Sequence, residues 1–227
     1  MELYNFAFGP YPQRLNIYLA EKQPADVVLT IYPAPDRSAN VPPPEVKALT
    51  PTGSLPILRA ADGTVIGQSL AILEYIEDIV PKPGMRGDTP AEKAGVRQLV
   101  HFFDEALTFF GLWARHGSKL EHRVVRFSHE LAEICAARYF DQLRFIDRIM
   151  RGRTFLAGDR VTLADCVGMA TLQYAKDFYD VPIPPECAKL QQWFDHFSVR
   201  PSARRPPYPS GQLTKAYGLM KQTGVSI

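Results

Sequence analysis

Two short stretches of this chain carry residue types that could do chemistry. In TGSLPIL (52–58), Pro56 interrupts what otherwise reads as a strand entry. Proline has no N–H for a β-ladder and disfavours helical conformation in the residue before it, so Leu55-Pro56 marks a turn, a sheet edge or an open main chain. Further on, GQSLAILEYIED (67–78) opens a helix on Gln68 and Ser69. Unpaired N–H groups and the positive end of the helix dipole favour a carboxylate there. The Ser69 hydroxyl and the Gln68 amide add donors, although Ser69 as an N-cap would use the same terminus. Thr162 and Asp165, in GDRVTLADC, have capping-box spacing and read as structural. Cys135, Cys166 and Cys187 make no CxxC and no zinc-ligand spacing, and read as small buried hydrophobes. No metal is expected.

These residues must be held by regular elements, and the chain supplies two kinds. ELYNFAF is a compact apolar run fit for a buried strand, and PQRLNIYLAEK follows with Leu15, Tyr18 and Leu19 at helical spacing. DVVLTIYP (26–33) is a β-branched run stopped by Pro33, and 33–44 holds five prolines and reads as an extended loop. LPILRAADGTVIG gives two strands around Asp62-Gly63, a hairpin signal, and QSLAILEYIEDIV closes the unit with Leu70, Leu73, Ile76 and Val80 on one helix face. PKPGMRGDTP (81–90) reads as a linker, and beyond it only helical patterns appear. Val96, Leu99, Val100, Phe103, Leu107 and Phe110 mark one helix; Tyr139, Leu143, Ile146 and Ile149 mark another; TLADCVGMATLQYA and CAKLQQWFDHF make two more. The last thirty residues carry Arg200, Arg204, Arg205, Lys215 and Lys221 with no acid, and read as a surface wrap. The expected organisation is a small α/β domain over 1–80, a linker over 81–89, and an all-α helical domain over 90–227.

Composition narrows the class. A hydrophobic fraction of 46%, a charged fraction of 22% and a net charge of +2 are those of a globular protein with no electrostatic preference for nucleic acid or a charged membrane. No apolar run approaches the ~20 residues that span a bilayer, and MELYNFAFGPYP does not have the layout of a secretory signal. A cytoplasmic, reduced protein is expected.

In order and spacing, TGSLPIL, GQSLAILEYIED, GDRVTLADC and WFDHFSVRPSARR together resemble the cytosolic glutathione transferase family over nearly the whole chain. The resemblance implies a thioredoxin-like first domain, glutathione as co-substrate, a small apolar electrophile and a homodimer. It implies a cis Leu55-Pro56 bond that leaves the Leu55 main chain open to the cysteinyl part of glutathione, as an added strand. It assigns the γ-glutamyl carboxylate to Gln68 and Ser69. It draws the second-substrate pocket from Phe8, Tyr11, Phe110, Trp113 and His116, with Tyr208 as a further candidate.

One departure stands out. Such enzymes lower the pKa of the glutathione thiol with a Tyr, Ser or Cys near the end of the first strand. Here NFAFGPYPQR has Gly9 in the cysteine position, Gly9 or Pro10 in the serine position and Asn5 in the tyrosine position. Three donors remain open: the Tyr11 hydroxyl, the Asn5 amide, and backbone N–H groups around residues 11–13. Tyr11 could equally be a pocket wall. The leading reading is a transferase that directs the glutathione thiolate at an apolar electrophile. The other is a non-catalytic glutathione-binding or scaffold protein on the same fold.

Overall fold

The computed structural model describes residues 1–32, 44–50, 52–121, 126–150 and 154–227. The chain begins with β1 (Glu2–Phe6), α1 (Pro10–Lys22) and β2 (Val28–Tyr32). It continues with α2 (Pro44–Leu49), β3 (Ile57–Arg59), β4 (Val65–Gly67) and α3 (Ser69–Ile79). The strand order is β2-β1-β3-β4, with β1 parallel to β2 and β3 antiparallel to both β1 and β4. This is a thioredoxin-like sheet. The Asp62-Gly63 hairpin forms as its residues predict: Gly63 adopts φ +87° and the Thr64 N–H donates to Asp62 Oδ1 at 2.9 Å. Most of the loop expected over 33–44 lies outside the described residues, but Pro44 opens α2, because proline is accommodated at a first helical position.

Register decides what this unit can present. Tyr4 pairs with Ile57 and Ile57 pairs with Gly67. Extending both pairings places the end of β1, the Leu55-Pro56 entry to β3 and the Gln68-Ser69 exit from β4 side by side at one end of the sheet.

Helices follow: α4 (Pro90–Gly117), α5 (His129–Ile149), α6 (Leu163–Gln173), α7 (Ala188–Ser198), α8 (Ser210–Ala216) and α9 (Leu219–Thr223). Thr89 caps α4: its hydroxyl accepts from the Glu92 N–H at 3.2 Å, while Glu92 Oε2 accepts from the Thr89 N–H at 3.1 Å. Every residue of α6 is buried, so it forms the axis of the helical half. Among the described residues no helix is long and apolar enough to cross a membrane. The expected surface wrap is corrected in part. Ala216 and Leu219 are fully buried, and Thr223 Oγ1 accepts from Trp113 Nε1 at 3.2 Å, so α8 and α9 close over the end of α4.

The two halves are bolted together by Glu21, whose carboxylate accepts from Arg200 Nε and Nη2, both at 2.8 Å, and from the Ser202 hydroxyl. Burial pushes the Glu21 pKa up, but the Arg200 and Ser202 hydrogen bonds and the Arg200 charge outweigh it and hold the carboxyl below its ordinary value. A folded-state pKa below the unfolded one contributes stability above the unfolded value, and that contribution disappears as pH falls through the folded value. Glu21→Gln is therefore expected to cost about 1 kcal/mol at neutral pH, with the difference from the parent vanishing below about pH 4. Urea titrations at several pH values check this; a constant difference down to pH 3 would refute it.

Candidate active site

Leu55, Pro56, Gln68 and Ser69 meet at the sheet end just described. The Leu55-Pro56 bond is cis. Among the described residues neither the N–H nor the C=O of Leu55 has a backbone partner, and its side chain packs with Ile57 against Tyr4, Phe6, Tyr32 and Leu49. Gln68 is exposed and takes φ +68°, ψ 117°, a conformation that costs a non-glycine residue energy and concentrates at functional sites. The N-cap of α3 is thus Gln68 rather than Ser69. Ser69 is the first helical residue, is only 3% exposed, and its hydroxyl has no hydrogen-bond partner among the described residues. The first amides of α3 and this hydroxyl form one cluster of donors.

Beside this lies a cavity of about 420 Å³ between the sheet unit and the helices. Phe6 to Pro12 and Leu55 line one side, without Ala7. Leu107, Gly111, Ala114 and Arg115, one face of α4, line another, and Glu121, Tyr174 and Tyr179 complete it. Of the residues expected in a second-substrate pocket, Phe8 and Tyr11 line this cavity. Three others do not. Phe110 and Trp113 are fully buried in an aromatic core, Phe110 lying 5.1 Å from Tyr139 and 5.3 Å from Tyr179 between ring centroids. They occupy the face of α4 turned to the other helices, so α4 presents Gly111 and Ala114 to the cavity in their place. His116 is held at 3.0 Å from the Arg126 carbonyl through Nδ1 and lies outside the lining. Tyr208 meets Phe8 edge-on at 5.7 Å and Phe178 at a tilt at 5.0 Å between ring centroids, and lies outside the lining.

Alternation along β1 places Asn5 on the buried face with Leu3. Its Nδ2 donates to the Pro12 carbonyl and to Asn16 Oδ1, each at 3.0 Å. Both amide protons are spent inside the fold, which corrects the expectation that Asn5 could donate to a sulfur. Gly9 caps α1 with φ +117°, a left-handed value that favours glycine over a side-chain nucleophile or donor. Pro10 and Pro12 have no N–H, and the Gln13 N–H is taken by the Gly9 carbonyl at 2.9 Å. That leaves the Tyr11 N–H as the open amide of the first turn. The Tyr11 ring is 43% exposed and lies under the Arg14 guanidinium, 5.0 Å from its centroid. Burial raises the Tyr11 pKa above its ordinary value, so its phenol keeps its proton at neutral pH and has an O–H to donate.

A chain of amides couples this turn to the opposite wall. Gln13 Nε2 donates to Gln173 Oε1 and to the Arg204 carbonyl, each at 3.0 Å, and Gln173 Nε2 donates to the Ala203 carbonyl at 2.8 Å. Gln173 ends α6, and the chain continues as a π-helical turn, Tyr174–Phe178, of the kind often found at functional sites. That turn brings Tyr174 and Tyr179 to the cavity in a T-shaped pair at 5.3 Å. No signal in the sequence marks it. On α4, residues 107, 111 and 114 follow helical spacing and so share a face, but spacing does not say that this face meets the cavity.

The three cysteines are buried and free, and burial raises their thiols, Cys187 to about 11. Among the described residues no group of three or more His, Cys, Asp or Glu could hold a metal.

This geometry has counterparts. The family model for the glutathione S-transferase N-terminal domain matches residues 8–79, and that for the C-terminal domain matches 88–201. The chain is 28% identical over 214 residues to Glutathione S-transferase 2 of Saccharomyces cerevisiae, covering 90% of this chain and 88% of that protein. It is 29% identical over 208 residues to FtsZ-localized protein A of Caulobacter vibrioides, covering 89% and 88%. The crystal structure of Gtt2 from Saccharomyces cerevisiae superposes with a TM-score of 0.76 at 28% identity, over 89% of this chain and 98% of that one. With both halves matched in order, the chain belongs to the glutathione S-transferase family.

Proposed function

We propose that the protein is a glutathione-dependent transferase. In this reading the cysteinyl main chain of glutathione pairs with Leu55 beside Pro56. Its γ-glutamyl carboxylate is held by Ser69, Gln68 and the first amides of α3. The sulfur then lies at the start of α1, where the Tyr11 hydroxyl and the Tyr11 N–H are donors that favour the thiolate. The thiol proton passes to solvent and the thiolate attacks a small apolar electrophile in the adjoining cavity: the carbon–sulfur bond forms as the bond to a leaving group breaks and that group departs with its electron pair, or as an activated double bond opens and takes a proton from water. The proposal includes a glutathione-binding unit over 1–80, a linker over 81–89 and a helical unit over 90–227, acting as a homodimer in the cytoplasm. Sedimentation as a monomer at micromolar concentration would remove the dimer.

The observation that carries the reading is the convergence of an unpaired main chain, a helix start rich in donors and a cavity at one sheet end. Isothermal titration with glutathione tests it. Ser69→Ala is expected to weaken binding by roughly 10-fold or more, the loss of one hydrogen bond to a charged group. Absence of binding to the parent at millimolar glutathione would refute the reading. A second reading, a glutathione-binding scaffold, is favoured by one observation: Gly9, held at φ +117°, where an activating side chain would stand. Binding without turnover across a broad electrophile panel would select it.

A further inference from the structure

The cavity walls differ in how firmly they are built. Tyr174 and Tyr179 are fixed by the π turn: Tyr174 stacks on Phe178 at 5.3 Å with the rings 14° apart, and Phe178 packs on Phe8 at 5.6 Å. The Gly9–Pro12 turn is tied through Gln13 to Gln173. Any enlargement on those sides must displace aromatic side chains that are already packed. The α4 side is different. Gly111 lies in the interior of a 28-residue helix, where glycine is the poorest helix former after proline. A Cβ built there meets nothing within 4 Å, although its neighbours Phe110 and Trp113 are fully buried. Gly111 is an exposed member of the cavity lining, so its missing side chain leaves open space on that wall rather than allowing a close approach of backbone.

We propose that Gly111 is the size-determining residue of the electrophile slot: bulky groups on sulfur occupy the space its side chain would fill. The inference rests on the glutathione reading for what brings such a group to the slot, and on the cavity alone for where it goes. Every side chain at 111 projects into the slot, so substitution trims its depth without disturbing the core. Small groups on the sulfur stay nearer Tyr11 and Leu55, and do not reach it.

The test compares Gly111→Ala and Gly111→Leu with the parent, titrating S-methylglutathione, S-(1-naphthylmethyl)glutathione and, without glutathione, 1-naphthol. Gly111→Leu is expected to bind the naphthylmethyl conjugate at least 10-fold more weakly and S-methylglutathione within 2-fold of the parent. Gly111→Ala should fall between, and neither variant should melt below the parent, because a better helix former replaces glycine. Equal losses for both conjugates, or an undiminished naphthylmethyl affinity in Gly111→Leu, would overturn the proposal. If the parent binds neither conjugate, the glutathione reading fails and 1-naphthol decides: binding lost in Gly111→Leu supports the slot, while equal binding or none to the parent overturns it.

Discussion

Glu77→Ala is expected to lower the unfolding free energy by about 3–5 kcal/mol, because it leaves a buried ammonium without its counter-charge. Lys22 Nζ donates to Glu77 Oε1 at 2.6 Å, and the two side chains are 0% and 2% exposed. The same carboxylate accepts from the Tyr18 hydroxyl at 2.8 Å and from the Met85 N–H at 2.9 Å. Removing it leaves Lys22, among the described residues, with the Pro83 carbonyl at 2.8 Å as a hydrogen-bond acceptor and the Tyr18 ring 5.8 Å away, neither of them a counter-charge. In a chain of this size such a loss lowers the melting temperature by roughly 10 °C. Because α1, α3 and the segment leading to α4 all meet at this carboxylate, the loss should appear as one cooperative transition at lower urea. The double variant Lys22→Met, Glu77→Leu should recover much of the stability, since an apolar pair avoids the desolvation of two ions. A cost below about 1 kcal/mol for Glu77→Ala would mean that Lys22 finds water or another anion.

Asp165→Ala is expected to cost a similar amount, about 3–4 kcal/mol, for a different reason. Asp165 is fully buried and accepts four hydrogen bonds. Oδ1 takes the Leu156 N–H and Trp193 Nε1–H, both at 2.9 Å; Oδ2 takes the Thr162 N–H and the Thr162 hydroxyl, both at 2.8 Å. Alanine would strand these donors at the start of α6, the helix around which the others pack. Asp165→Asn keeps an acceptor and should cost about half as much. Trp193 reports the change directly: loss of the indole hydrogen bond should shift its emission before global unfolding. Since α6 leads into the π turn, the cavity wall should loosen too. An Asp165→Ala variant as stable as the parent would show that water replaces the carboxylate.

These two sites differ in how far the sequence revealed them. Thr162 and Asp165 could be recognised because a helix start is a local event and its spacing is written in four consecutive residues. The sequence did not, however, disclose that Trp193 and Leu156 converge on the same carboxylate. The Glu77 cluster was invisible, for Tyr18 and Lys22, one turn apart on α1, and Met85, in the segment leading to α4, reach it from two places distant in sequence from α3. The same distinction runs through the candidate site. Pro56 and the Gln68-Ser69 helix start are local punctuation and could be read in isolation, whereas their adjacency depends on the pairing of Ile57 with Gly67. On α4, periodicity grouped residues onto faces but could not say which face would meet the other helices. Phe110 and Trp113 went to the core, leaving Gly111 to the cavity. Asn5 carries the right donor, yet strand alternation turned it inward.

The amino-acid order by itself determined the strand runs, the helix starts and the Asp62-Gly63 hairpin, because these depend on backbone preferences and spacing within a dozen residues, and it carried the family resemblance through the order of four such local stretches along the chain. Tertiary structure alone decided which side chains share a cavity, which donors are spent and which charges are buried together. Gln13 and Gln173 are 160 residues apart, and the Arg200–Glu21 bridge spans 179. Such contacts are selected by how whole faces pack and exclude water, and no local rule of conformation encodes them.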